Sequence, residues 1–334
     1  MTTAPDSFAA RYRTALQRFV HEQRAPGEYL YLLLDPLAEC AQDDPLHPAR
    51  LRVALGDAAL TPVPRNDVRH APDAWPLLAS LAKPGAPAMD ADANVAGAPS
   101  WLIWSADRAR QESAQRKRYI CGWLTSTQPP QAVADALAAL GQLDSATWFP
   151  VFESVRLELL ASALQRGLDG HLWPVSNWLS PNSQGGFIRL KGRAQDNLPP
   201  LPAQAREVQQ LVPQITELLV AWRKALQRDD LGYAPQRWQG EMPLPEQAAV
   251  LAYRQIRDGR ALGLRETDDL LALALRRLLI HPDLPDHPCI AADIESAARG
   301  EATLRERFAR HHGLWEWMSR QLNKRNAAWP TPSY

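Results

Sequence analysis

Apolar residues along this chain alternate between helical and extended spacing. Phe8, Tyr12, Ala15, Leu16 and Phe19 fall on one face of a helix over residues 7–24, with Ser7 as its cap and Pro26-Gly27 as its stop. Tyr29-Leu30-Tyr31-Leu32-Leu33-Leu34 is too short for a helix and predicts a strand buried on both faces, closed by Asp35-Pro36. Residues 36–70 are Pro-rich and carry no clear period. Residues 75–81 predict a strand, placed at a sheet edge by Pro76. Residues 83–99 read as loop, and residues 100–118 as a helix ending in Arg116-Lys117-Arg118, where cations suit the helix dipole.

Residues 119–125 are a strong strand pattern. Pro129-Pro130 opens a helix that Gly141 ends. Residues 147–152 predict a strand and residues 155–164 a helix. The turn Asn182-Ser183-Gln184-Gly185-Gly186 leads into a last strand over 187–190. This alternation predicts an α/β or α+β N-terminal lobe with a mixed sheet and flanking helices, over residues 1–198.

Pro199-Pro200-Leu201-Pro202 opens a second lobe, 199–334, that is helical throughout. Val208, Leu211, Val212, Ile215, Leu218, Leu219 and Trp222 form one stripe, with Pro213 as a kink or a late helix start. Thr267 is placed to cap a helix whose first turn holds Asp268 and Asp269, with Leu270, Leu271, Ala274, Leu278 and Leu279 as its buried face. Leu304, Phe308, His311, Trp315, Met318 and Leu322 form a further seam.

Composition narrows the function. The chain has 334 residues, more than one core usually holds, and 46% of them are hydrophobic, enough for a sizeable interior. Lys plus Arg equals Asp plus Glu, 37 each, which disfavours nucleic acid and anionic membrane as partners. No apolar stretch has the length of a membrane span, and the N-terminal residues lack the apolar core of a signal peptide. Cys40, Cys121 and Cys289 are far apart and odd in number, which fits a reducing cytoplasm.

Candidate chemistry is sparse. His281-Pro282-Asp283-Leu284-Pro285-Asp286-His287-Pro288-Cys289 carries metal-capable groups without a zinc spacing, and reads as an interhelical loop. His311 sits on an apolar seam, as a satisfied core histidine does, and His312 points away from it. Cys121 falls inside a buried strand, where a thiol is inert. No nucleophile elbow or phosphate-binding glycine loop occurs, so catalytic residues, cofactors and metals are not assigned. Asp35 and Arg156 are candidates for a bidentate ion pair, though either serves equally well as a cap or on the surface.

Four segments in order carry a family resemblance: the apolar run closing on Asp35; Cys121-Gly122-Trp123-Leu124-Thr125-Ser126 before a helix; Phe152 to Leu157; and Leu172 to Trp178. Together they resemble the effector chaperone or adaptor domain encoded beside type VI secretion spike proteins. Phe152, Arg156, Pro174 and Trp178 match that pattern. Glu153 and Ser154 stand where the family has Asp and Pro, Val155 is extra, and Trp173 replaces a Gly.

The resemblance covers about residues 28–190. It implies structural roles for Asp35, Trp123, Ser126, Phe152, Arg156, Pro174 and Trp178. It also implies a cytoplasmic, non-enzymatic adaptor that binds an effector toxin and loads it onto a VgrG or PAAR spike, without cofactor. Trp is frequent, at 12 residues, and is enriched at interface hot spots. Trp238, Trp317 and Trp329 fall outside the clear stripes and are candidate partner contacts, with local packing as the alternative. The rival functions are an immunity-type protein that neutralises a toxin and a hydrolase with a noncanonical site.

Overall fold

The structure is a computed structural model that describes residues 5–86, 101–142, 147–198 and 200–323, with side chains from residue 10 on except those of 166, 312, 322 and 323. The chain divides into two compact units, Met1–Gln209 and Gln210–Tyr334.

The first unit is α+β. In chain order it holds α1 (Pro5–Arg18), β1 (Tyr29–Leu34), α2 (Pro48–Leu55), β2 (Leu60–Pro62), β3 (Leu77–Ala82), α3 (Trp101–Gln111), β4 (Ile120–Ser126), α4 (Pro130–Leu140), α5 (Ser154–Leu164), α6 (Leu168–Leu172), β5 (Asn177–Pro181) and β6 (Phe187–Lys191). The six strands form one sheet in the order β2-β3-β1-β4-β5-β6, and every pairing is antiparallel. The expectation of a mixed sheet is thereby corrected. Helices do lie between strands, but none makes a parallel crossover.

β1 lies at the centre, and its alternation feeds two cores. Leu30, Leu32 and Leu34 enter one with Tyr12, Phe19, Leu81 and Trp123. Tyr31 and Leu33 enter the other with Leu124, Val133, Phe152 and Trp178. A strand buried on both faces has no polar positions, which is why its sequence is a continuous apolar run.

β4 changes parity at Gly122. Leu33 pairs with Gly122 but Leu34 with Ile120, leaving Cys121 as the extra residue of a bulge. Cys121 and Trp123, two apart, therefore enter opposite cores. Gly122 has φ +145°, and a Cβ there would lie 2.5 Å from Trp178 Nε1 and 2.6 Å from the Leu179 carbonyl oxygen. Only glycine fits.

Several boundaries differ from the sequence reading. The first helix begins at Pro5, so Ser7 is inside it, and a π turn over Phe19–Gln23 extends it. β3 is interior despite Pro76, which precedes the strand and leaves the ladder intact, and the missed β2 is the edge. The third helix stops at Gln111, so Arg116-Lys117-Arg118 lies beyond it and not on its dipole. Residues 147–153 are turn and loop rather than strand. Pro130 at the first helical position and the end at Leu140 agree with the reading of α4.

The second unit is helical. Its elements are α7 (Ala203–Leu226, in which the division between units falls), α8 (Ala248–Ala261), α9 (Thr267–Leu279), α10 (Pro288–Ala298), α11 (Leu304–Ala309) and α12 (His312–Asn323). α7 runs unbroken through Pro213, and the stripe from Val208 to Trp222 is buried. Glu266, not Thr267, occupies the cap position of α9, and Asp269 is buried, accepting from the Leu304 amide at 2.7 Å. Leu273 replaces Leu271 on the buried face of that helix. Leu304, Phe308, Trp315 and Met318 are buried, and the chain turns between Phe308 and Trp315 to form two helices. Arg276 stacks between them, 4.6 Å over Phe308 and 4.9 Å over Trp315, and burial pulls its pKa down to about 10.

Candidate partner-binding site

One end of the sheet holds a linked set of ionisable side chains. β1 ends at Asp35, whose amide donates to the Tyr119 carbonyl at 2.8 Å and whose carboxylate is fully buried. Its carboxylate accepts from the Leu37 amide at 3.1 Å. Lys117 Nζ lies 3.2 Å from Asp35 Oδ2, and Arg65 Nη1 lies 3.8 Å from Oδ1. Lys117 also reaches Glu153 Oε1 at 3.2 Å, and Glu153 Oε2 accepts from Arg156 Nε at 2.9 Å. Burial raises the Asp35 pKa, against the opposing pull of Lys117.

The Asp35–Arg156 pair considered from sequence is therefore not direct. The two residues belong to one ladder, Arg65–Asp35–Lys117–Glu153–Arg156, in which Lys117 and Glu153 are the middle rungs. Arg156 has a second task. Pro213 lacks an N–H, so the Gln209 carbonyl four residues earlier loses its helical partner. Arg156 Nη1 donates to that carbonyl at 2.9 Å, and Gln209 Nε2 returns a bond to the Arg156 carbonyl at 3.0 Å.

The remaining residues of the resemblance are buried around this end and along the sheet. Phe152 packs under the Arg65 guanidinium, 5.6 Å from ring to charge, with Trp148 beside it. Trp123 Nε1 donates to Ser105 Oγ at 2.9 Å. Ser126 Oγ donates to the Pro174 carbonyl at 2.6 Å, next to the cis Trp173-Pro174 bond. Trp178 is buried against Gly122. Arg118 is buried too, donating to the Asn182 and Ser113 carbonyls at 3.0 Å each, with its pKa lowered by desolvation. Cys121 is fully buried, and desolvation pushes its thiol well up.

On the opposite face of the same end, a cleft of about 510 Å³ opens. Its wall combines Pro36, Ala38 and Cys40 after β1, His47, Pro48, Ala49 and Arg52 around α2, Leu60 and Pro62 of β2, Pro72, Asp73 and Trp75, and Leu77 and Tyr119 at the strand starts. That volume suits a few side chains, and the wall is mainly apolar with a few polar groups. The polar atoms are mostly engaged. Tyr119 Oη donates to the Leu46 carbonyl at 2.7 Å, and Trp75 Nε1 to the Val68 carbonyl at 3.2 Å. His47 Nδ1 accepts from the Ala49 amide at 3.3 Å, capping α2. Burial moves the Cys40 thiol up to about 11. Arg52 at the mouth is half-exposed, with Asp57 only at 4.0 Å. Such a site offers apolar contact and a weakly paired cation, Arg52.

The candidate aromatics fare differently. Trp238 is half-buried in its own loop, with Nε1 donating to the Met242 carbonyl at 2.9 Å and its ring over Gly240. Trp317 is 51% exposed, with the His287 ring 6.0 Å away, and Trp329 lies outside the described residues. His281 is buried, and its Nδ1 accepts from the Asp283 amide at 3.1 Å. His311 Nε2 lies 2.6 Å from Asp293 Oδ2 with its ring edge-on to Trp315, and the His312 side chain lies outside the described residues. Among the described residues, no three His, Cys, Asp or Glu side chains converge as a metal set would.

Sequence reasoning missed Arg65, Lys117 and the cleft. A Pro-rich segment gives no period from which to place Arg65 or α2. Lys117 was visible only as part of a basic cluster assigned to a helix end. Comparison with protein-family models, with characterised proteins and with solved structures returned no match.

Proposed function

We propose that this protein is a cytoplasmic adaptor that binds a type VI secretion effector and helps load it onto a VgrG or PAAR spike. The observation that carries the reading is the meeting of distant resemblance segments at one end of the sheet. Asp35 and Arg156 share one ladder there through Lys117 and Glu153, and Phe152 packs against the Arg65 guanidinium at its other end. Their charges are spent on holding strand and helix ends, a scaffold's use of ionisable groups. Among the described residues, the cleft on the other face of this end is open to a partner. It is built on strands and a capped helix, so little ordering entropy is lost on binding.

In this reading the cleft takes apolar side chains from an effector segment, and no bond-making chemistry is involved. No helix among the described residues is long and apolar enough to cross a membrane, which fits loading before export.

The test is co-expression of the chain with the toxin and spike proteins of its genetic neighbourhood, followed by purification. Recovery of a complex with the toxin's delivery region supports the proposal. Recovery with the toxin's catalytic domain alone replaces it with an immunity role. Ala49→Trp, which fills the cleft, is expected to abolish the adaptor complex. Absence of both toxin and spike from every preparation sinks it.

A further inference from the structure

Among the described residues, the far edge of the sheet is open: β6 is the terminal strand and pairs there only with β5. The Gly192 amide donates to the Ser176 carbonyl at 3.0 Å, and the Asn182 amide to the Gly186 carbonyl at 2.9 Å. These two bonds set the phase of the ladder. Ile188 and Leu190 turn their backbone groups toward β5, opposite Ser180 and Trp178. Phe187, Arg189 and Lys191 turn theirs outward. Among the described residues, no bond reaches these three on that side, and the next outward amide, Arg193, donates to the Asp169 carbonyl at 2.9 Å, where the open stretch ends.

The side chains on this edge are polarised. Phe187 packs against Tyr12 and Trp123. Arg189 and Lys191 follow it on the same face at two-residue spacing, with Arg193 just beyond the strand. All three cations are exposed, and no acid lies within ion-pair distance of them among the described residues. Lysine and arginine on an edge strand also discourage self-pairing. A second copy docking here would set Arg189 and Lys191 against their own equivalents, which the charges oppose.

We infer that β6 is a second docking edge, which takes an extended protein segment with acidic residues at alternate positions as a seventh strand. Main-chain bonds to Phe187, Arg189 and Lys191 supply affinity. The cations select the register and sign of the incoming strand. This inference assumes the chain binds proteins, as proposed above, but uses a surface apart from the cleft.

The experiment is selection of a display library of 12-residue peptides on the full chain. The expected result is enrichment of sequences with Asp or Glu at every second position. Arg189→Pro removes an N–H that β5 does not use, so the fold is retained while the edge is blocked. It should weaken the selected peptides at least tenfold. The double variant R189E/K191E should do the same without touching the backbone, and it decides the matter if the proline variant unfolds. Ala49→Trp should leave these peptides bound, so failure of the cleft and failure of the edge are read separately. No enrichment, or peptides that bind the charge-reversed chain as well as the parent, overturns the inference.

Discussion

Lys117 holds its ammonium group 3.2 Å from the buried Asp35 carboxylate, where β1 runs into the Pro36 turn. Arg65 is a second cation near Asp35 but lies farther off, at 3.8 Å. Lys117→Met is therefore expected to cost about 2–3 kcal/mol, below the usual loss for a fully buried pair because Lys117 is partly exposed. Denaturant unfolding measures this, and a loss near zero refutes the ladder as a structural tie.

Burial raises the carboxyl pKa of both Asp35 and Glu112. Between the ordinary carboxylate range and each raised value, the folded chain holds a proton that the unfolded chain has released. Stability from these groups is thus greatest at low pH and falls as pH rises through the folded values. Asp35→Asn should flatten that part of the stability–pH curve. An unchanged slope contradicts the assignment.

Arg156 and Pro213 are linked through the Gln209 carbonyl. Arg156→Met should cost about 1–2 kcal/mol in the parent chain, where it leaves that carbonyl without a partner. In a Pro213→Ala background the helix regains its own donor, and the cost should shrink by about 1 kcal/mol. A double-mutant cycle with no coupling rejects the link.

Gly122→Ala places a Cβ against Trp178 and the Leu179 backbone at a positive φ. A loss of about 3 kcal/mol or more is expected from strain plus overlap. Thermal or denaturant unfolding reads it directly.

The thiols should separate by environment. Cys289 is exposed, Cys40 half-buried and Cys121 buried. A thiol reagent on the native chain is expected to modify Cys289 rapidly, Cys40 slowly and Cys121 only on unfolding. Rapid labelling that survives Cys289→Ser contradicts this order.

The sequence determined what depends on local spacing. The apolar run at Tyr29–Leu34, the strand through Trp123, the proline-started helix at Pro130 and the α7 stripe each announce their own burial. Hydrophobic period is a property of neighbours, so it survives without knowledge of the fold. Aromatic position alone did not separate Trp238, tied into its loop, from Trp317, left exposed.

What only the tertiary structure decided concerns partners distant in the chain. The antiparallel order of the sheet, the choice of Lys117 and Arg65 over Arg156 as companions of Asp35, and the cleft between α2 and the strand starts have no local signature. A buried carboxylate requires a cation, but any of 37 basic residues satisfies that demand on paper. Which one meets it depends on where folding brings the chain together, and that is fixed by packing across the whole sheet.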